Sequence, residues 1–209
     1  MAIRAHSVYN ILNKKYKLLP FTGEWKEAFA EPAQSGVWFI YGASSNGKSS
    51  FTQQLVKYLE ILGLNIAYLS LEESTDHTMQ QSIMRAEWKE TGSRIKILEP
   101  ADVNEIDKWL ESNRSPNVLI IDTIQYWDLT FKRYMELKKK HSKKLFIFVS
   151  HIKNNDPDGS VATKIMRDAS LKIFIQGYRA FSKGRYIGEK GYYSIWPEKE
   201  KEIWLNEKQ

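Results

Sequence analysis

The 209-residue chain contains no cysteine, which excludes disulfides and every thiolate metal site. It has no apolar run approaching the length of a membrane span. Its first residues, MAIRAHSVYN, lack the apolar core of a signal peptide. A cytoplasmic location with no membrane partner is therefore the default expectation. Internal repeats, low-complexity segments and a clear linker are also missing. Neither sign of charge dominates: 31 Lys and Arg stand against 25 Asp and Glu, a net charge of +6. That excess permits nucleic-acid binding without requiring it. The densest basic run, ELKKKHSKK from Glu136 to Lys144, reads as the end of an exposed helix. The remainder is 42% hydrophobic and 27% charged, ordinary for a globular chain and enough for one α/β domain with a sizeable core.

Residues 1–35 form a mixed polar and aromatic lead-in that includes LPFTGEW, expected to pack against the domain that follows. From Gly36 to the end, residues 36–209, the pattern is regular. Short apolar runs at GVWFIY, NIAYLSLEE, RIKILEP, NVLIID and KLFIFVSH read as buried strands. Between them lie helical segments. SSFTQQLVKYLEILG places Phe51, Leu55, Leu59 and Leu62 at helical spacing, with Gly63 as a natural stop. STDHTMQQSIMRAEWKE has helical character, ADVNEIDKWLESN sets Val103, Ile106 and Leu110 on one face, and another helix runs through Tyr134 and Leu137. This alternation predicts an α/β fold with a mostly parallel sheet flanked by helices. After Ala169, LKIFIQGYRAF, RYIGEKGYYSIWP and KEIWLN read as consecutive antiparallel strands at the sheet edge.

Between the first strand and the first long helix stands GASSNGKSS: Gly42, Ala43, Ser44, Ser45, Asn46, Gly47, Lys48, Ser49 and Ser50. It matches G-x-x-x-x-G-K-[ST] in full. The glycines let successive backbone N–H groups turn toward phosphate oxygens. Lys48 brings a point charge to the β- and γ-phosphates, Ser49 offers a hydroxyl to Mg2+, and the helix that starts there directs its positive end at the anion. The pattern predicts binding of a nucleoside triphosphate, taken to be ATP. VLIID then ends a buried strand on Asp122, where ligands sit in open α/β sheets, so that Asp122 can complete the metal shell with Ser49.

Other phosphate-handling chemistries lack their parts. A guanine-reading N-K-x-D is missing, since HIKNND does not supply it. An arginine-rich lid of the kind small-molecule kinases use is also missing, which weakens a phosphotransferase reading. Glu72 and Glu73 end the strand after the cradle helix. A carboxylate there can orient a water for attack on the γ-phosphate, although acids are favoured before a helix in any case.

NIAYLSLEES resembles the strand that carries the catalytic glutamate in the RecA superfamily and the DnaB-type replicative helicases. Glu72 falls on that glutamate, and Glu73 replaces the usual methionine. LFIFVSHIKNN is similar to the strand whose polar end senses the γ-phosphate, with His151 where glutamine is usual. NNDPDGSVATKIMRDAS is similar in placement to the DNA-contacting loop, which implies nucleic-acid contacts for Lys153, Lys164 and Arg167. AFSKGRYIGEKG looks like the K-x-R finger that ring helicases insert into a neighbour's nucleotide site, which gives Lys183 and Arg185 that role. The resemblance spans Gly36 to Pro197, and the whole is similar to small RecA-like ATPases of phages and bacterial mobile elements.

The resemblance implies a RecA-like fold, hydrolysis of ATP with Mg2+, a homo-oligomeric ring or filament, and action on single-stranded DNA in replication or recombination. Trp127 is the aromatic expected to face a central channel. The extra amino-terminal domain of full replicative helicases is not seen. A compact ATPase that assists replication or recombination, or loads another protein, therefore fits better than an autonomous helicase. A non-motor switch, in which ATP controls binding of a protein partner, is the competing expectation.

Overall fold

A computed structural model describes residues 5–73, 75–88 and 94–206. The ends of the helical segment expected over 74–90 and the first four residues of the lead-in lie outside the described residues. Among the described residues, ten strands and eight α-helices occur in the order α1 (Val8–Leu12), α2 (Gly23–Phe29), β1 (Gly36–Gly42), α3 (Lys48–Ile61), β2 (Ile66–Ser70), α4 (His77–Arg85), β3 (Ile95–Leu98), α5 (Val103–Leu110), β4 (Val118–Asp122), α6 (Phe131–Lys140), β5 (Leu145–Ser150), β6 (Ile152–Lys153), β7 (Asp156–Pro157), α7 (Ser160–Asp168), β8 (Leu171–Gln176), β9 (Arg179–Gly184), β10 (Tyr192–Ser194) and α8 (Pro197–Asn206).

Eight strands form one sheet in the order β10-β9-β8-β1-β5-β4-β2-β3. From β3 to β8 every pairing is parallel. β9 and β10 add an antiparallel edge. The apolar runs are continuous because both faces of the parallel strands are covered. On β1, Trp38 and Ile40 enter one core with Phe51, Leu55 and Leu59 of α3, while Val37, Phe39 and Tyr41 enter another with residues of α5, α6 and α7.

Local chemistry places the helices. In α3 the predicted face Phe51, Leu55 and Leu59 is buried. Gly63, at φ +83, ends it with Gly63 N–H on Glu60 O and Leu64 N–H on Leu59 O, a closure that needs a left-handed residue. Asp102 caps α5 by accepting from the N–H groups of Asn104 and Glu105, and Glu105 accepts in return from Asp102 N–H, a capping box.

The lead-in divides in two. Leu19, Phe21, Trp25 and Phe29 join the α3 face of the core, with Trp25 stacked on Tyr58 at 4.7 Å and on Tyr193 at 4.4 Å. Val8, Tyr9, Ile11 and Leu12 of α1 remain exposed.

Three expectations are corrected. KEIWLN is not a strand: it belongs to α8, which opens on Pro197 with Glu198 and Glu200 in its first turn, a start that suits the fixed proline φ and the helix dipole. Its register carries Trp204 onto Gly177 O at 3.0 Å and Glu200 onto Arg179 at 2.7 Å. The strand expected in RYIGEKGYYSIWP shrinks to Tyr192–Ser194, because 188–191 instead bond to α2 through Ala28 O and Glu27 O. The segment NNDPDGSVATKIMRDAS is not one loop. It begins at the tip of the β6–β7 hairpin, where Asn154 and Asn155 both have positive φ, as a two-residue turn demands, and it continues as α7.

Candidate active site

The parallel register brings the carboxyl ends of β1, β2, β4 and β5 together, the edge at which open α/β sheets bind ligands. The cradle follows β1, Glu72 and Glu73 follow β2, Asp122 ends β4 and His151 follows β5. Ser49, Tyr68, Ser70, Glu72, Glu73 and Asp122 line one small cleft. A larger cavity of about 710 Å3 runs outward from Ser45, Gly47, Lys48 and Ser49 to Tyr178 and Trp196.

Within the cradle, Ser45 at φ +60 and Gly47 at φ +99 make the left-handed turns. Gly42 works differently from its sequence reading. It is the last residue of β1, and a Cβ there would lie 2.3 Å from Ile175 O of β8; the glycine permits strand approach. Asn46 fastens the loop to the β8–β9 turn: its Oδ1 accepts from Gly177 N–H at 2.9 Å and its carbonyl accepts from Tyr178 N–H at 3.3 Å.

Lys48 is 8% exposed and donates to Ala43 O at 2.9 Å. Burial pulls its ammonium below the ordinary lysine range, although Asp122 and Glu72 pull the other way. Asp122 is pushed up to about 6. Burial is the chief cause, a hydrogen bond from the Tyr68 hydroxyl opposes it, and Glu72 and Glu73 add to the rise. Burial and the same carboxylate hold the Tyr68 hydroxyl well above the usual phenol range. Glu72 meets His151 Nε2 at 3.3 Å.

This donor set suits magnesium. Among the described residues no group of three or more acids or histidines is disposed to hold a metal by itself. One carboxylate and one hydroxyl beside a phosphate cradle is the partial shell that Mg2+ completes with phosphate oxygens and water.

Lys183 and Arg185 lie elsewhere. Gly42 pairs with Ile175 and Ile175 with Ala180, but Lys183 pairs with Lys172, and Arg185 N–H bonds Ser170 O. At about 3.3 Å per residue, they sit roughly 10 and 17 Å down the strand from the cradle end. Lys183 rests 5.1 Å from the Phe174 ring centroid. Lys153, Lys164 and Arg167 are exposed but divided between the hairpin and α7, with Lys164 placed 5.6 Å over the Phe131 ring. Trp127, expected to face a channel, is 6% exposed and donates to Ala101 O at 3.0 Å. It is core, and its neighbour Tyr126 is the exposed ring. The basic run closes on its own surroundings: Lys138 meets Asp168, Lys140 meets Asp107 and Glu111, and Lys144 meets Ser115.

Sequence reasoning passed over Tyr68 and Gln125. Tyr68 left a usable signal, a hydroxyl in an otherwise apolar strand that must find a partner when buried. Gln125, beyond β4, left none.

No protein-family model and no curated protein matches the chain. Solved structures do. The ATPase domain of a DnaB-like helicase is 14% identical over 73% of this chain and 78% of its own, with a TM-score of 0.51. The flagellar accessory protein FlaH from Methanocaldococcus jannaschii is 18% identical over 86% of this chain and 92% of its own, with a TM-score of 0.57. At these identities the likeness is one of fold, and the fold is that of RecA-like P-loop ATPases. No helix among the described residues is long and apolar enough to cross a membrane.

Proposed function

We propose that this chain is a RecA-like ATPase that hydrolyses ATP with Mg2+, assembles with copies of itself in the cytoplasm and acts on DNA in replication or recombination. The observation that carries the reading is the convergence of cradle, Asp122, Glu72 and His151 on one edge of the sheet.

Lys48 and the loop amides bind the phosphates, and positive φ at Ser45 and Gly47 shapes that loop. Ser49 and Asp122 hold the metal, which when bound neutralises charge on the phosphate oxygens. Tyr68 orients Asp122 by its hydrogen bond. Glu72 accepts a proton from the attacking water and aligns it with the γ-phosphate. His151, paired with Glu72, adjusts that carboxylate as the γ-phosphate arrives or leaves. Lys183 and Arg185 stand too far along their strand to serve their own cradle, so they act on a neighbour's nucleotide, where an arginine spreads transition-state charge. The exposed apolar side chains of α1 offer surface for such assembly. Single-stranded DNA would be met by Lys153, Lys164 and Arg167 from several subunits together.

The test is Glu72→Gln, which keeps ATP binding and abolishes turnover. Full turnover by that variant would remove Glu72 from the mechanism. A switch that loads a protein partner is the second reading, favoured by the same exposed α1. A clear protein partner, with an ATPase rate unmoved by single-stranded DNA, would select it.

A further inference from the structure

Gln125 lies three residues beyond Asp122, in the 3-10 turn Ile124–Tyr126. Its amide is used at both ends. Oε1 accepts from the backbone N–H of His151 at 3.1 Å, and Nε2 donates to Ser150 Oγ and to Asp158 O, both at 2.8 Å. The carbonyl of His151 is held as well: the hydroxyl of Ser150, which is fully buried, donates to it at 2.8 Å, and Asp158 N–H donates at 3.0 Å. The His151 backbone is thus fixed on both sides while its imidazole reaches Glu72. Asp158 follows the β6–β7 hairpin directly, so one side chain spans the end of β4, the end of β5 and the base of the hairpin. The job needs an acceptor and a two-hydrogen donor on one flat group of this length. Glutamate lacks the donors, lysine the acceptor, and asparagine one methylene.

We propose that Gln125 is a positioning residue: it fixes the backbone of His151 so that the imidazole meets Glu72, and it ties that pair to the β6–β7 hairpin. Gln125 itself touches no reacting atom. The inference rests on the ATPase reading only for its kinetic consequence; the positioning itself is a matter of geometry.

The full-length chain is tested as Gln125→Ala and Gln125→Glu, each alone and combined with His151→Ala, with thermal melting to exclude misfolding. Gln125→Ala lowers kcat about tenfold, the worth of one to two buried hydrogen bonds, with KM for ATP changed less than about twofold. Gln125→Glu, which keeps the shape and the acceptor, recovers part of the loss. In the His151→Ala background the Gln125→Ala loss disappears, because both changes break one pathway. An equal loss in both backgrounds would overturn the proposal, and so would an unchanged kcat. A second arm needs no activity: amide hydrogen exchange at His151 and Asp158 speeds up at least about tenfold in Gln125→Ala while β1 stays protected. Unchanged exchange at both amides overturns the positioning role. A wild-type chain that does not hydrolyse ATP would sink the functional reading instead and leave this arm to decide.

Discussion

Asp122 and Asp107 are two acids withdrawn from water in the same fold, and their surroundings treat them in opposite ways. Asp107, on α5, is 6% exposed and is ringed by cations: His141 at 2.7 Å, Arg133 at 2.8 Å and Lys140 at 2.9 Å. Burial alone would raise its carboxyl, but the hydrogen bonds from His141, Lys140 and Arg133 outweigh it and hold the group below the ordinary carboxylate range. Asp122 receives one hydrogen bond, from the Tyr68 hydroxyl, and faces Glu72 and Glu73. Charge is balanced where α5 meets α6 and left unbalanced at the carboxyl edge of the sheet. An edge with surplus negative charge around one acid, next to a buried lysine and a phosphate cradle, is prepared for a divalent cation carried in with phosphate. The difference separates a site that stabilises the fold from one that gives up stability for function.

The largest expected contrast is in activity. Asp122→Asn removes the metal carboxylate and should cut ATPase kcat by about a hundredfold or more, whereas Asp107→Asn should leave it within about twofold once folded protein is matched. Steady-state ATPase assays on both variants check this. Equal losses would erase the distinction.

Stability should reverse the order. Asp107→Asn leaves three donors around a neutral amide and should cost about 2 kcal/mol, discounted because Arg133 and Lys140 can turn to solvent, or about 4–8 °C in Tm. Asp122→Asn, measured at pH 7 without nucleotide or metal, removes a charge that its neighbours oppose and should gain about 1 kcal/mol. Denaturant and thermal melts of the same pair decide; destabilisation by Asp122→Asn would show that the Tyr68 bond outweighs the like charges.

The smallest effect is a pH dependence. Asp107 titrates lower in the folded chain than in the unfolded one, so its contribution is full above the unfolded carboxylate value near 3.8 and is lost as pH falls through the depressed folded value. The stability gap between the wild type and Asp107→Asn should therefore be flat above about pH 5 and shrink on acidification. A gap that widens in acid would contradict the sign.

How much of this was legible in the sequence follows the range of the interactions. The cradle, the Asp122 strand and the Glu72 strand are local patterns, and strand–loop–helix chemistry reads them without a partner. The mostly parallel sheet followed from strand and helix alternation. What escaped depends on neighbours far along the chain. Gly42 looked like a phosphate glycine, but Ile175, 133 residues later, sets its need for no Cβ. Trp127 looked like a channel ring, and only the packing of α5 and the Ala101 carbonyl make it core. KEIWLN looked like a strand because its short apolar run fits either period; Pro197 was the unread signal. Gln125 is an ordinary polar residue until β5 and the hairpin close around it. The K-x-R match named Lys183 and Arg185, yet only the β8–β9 register showed that they stand apart from the chain's own cradle.

That separation carries the central claim, that the ATPase site is shared between copies of the chain. The most direct measurement mixes two variants, Lys48→Ala and Arg185→Ala, and compares ATPase activity with each alone across protein concentration, with and without single-stranded DNA. Each variant alone should be nearly inactive. In a random equimolar assembly about one quarter of interfaces join an intact cradle to an intact finger, so the mixture should regain about a quarter of wild-type activity. A mixture no more active than its parts, or an Arg185→Ala variant that hydrolyses ATP at the wild-type rate, would contradict the shared site.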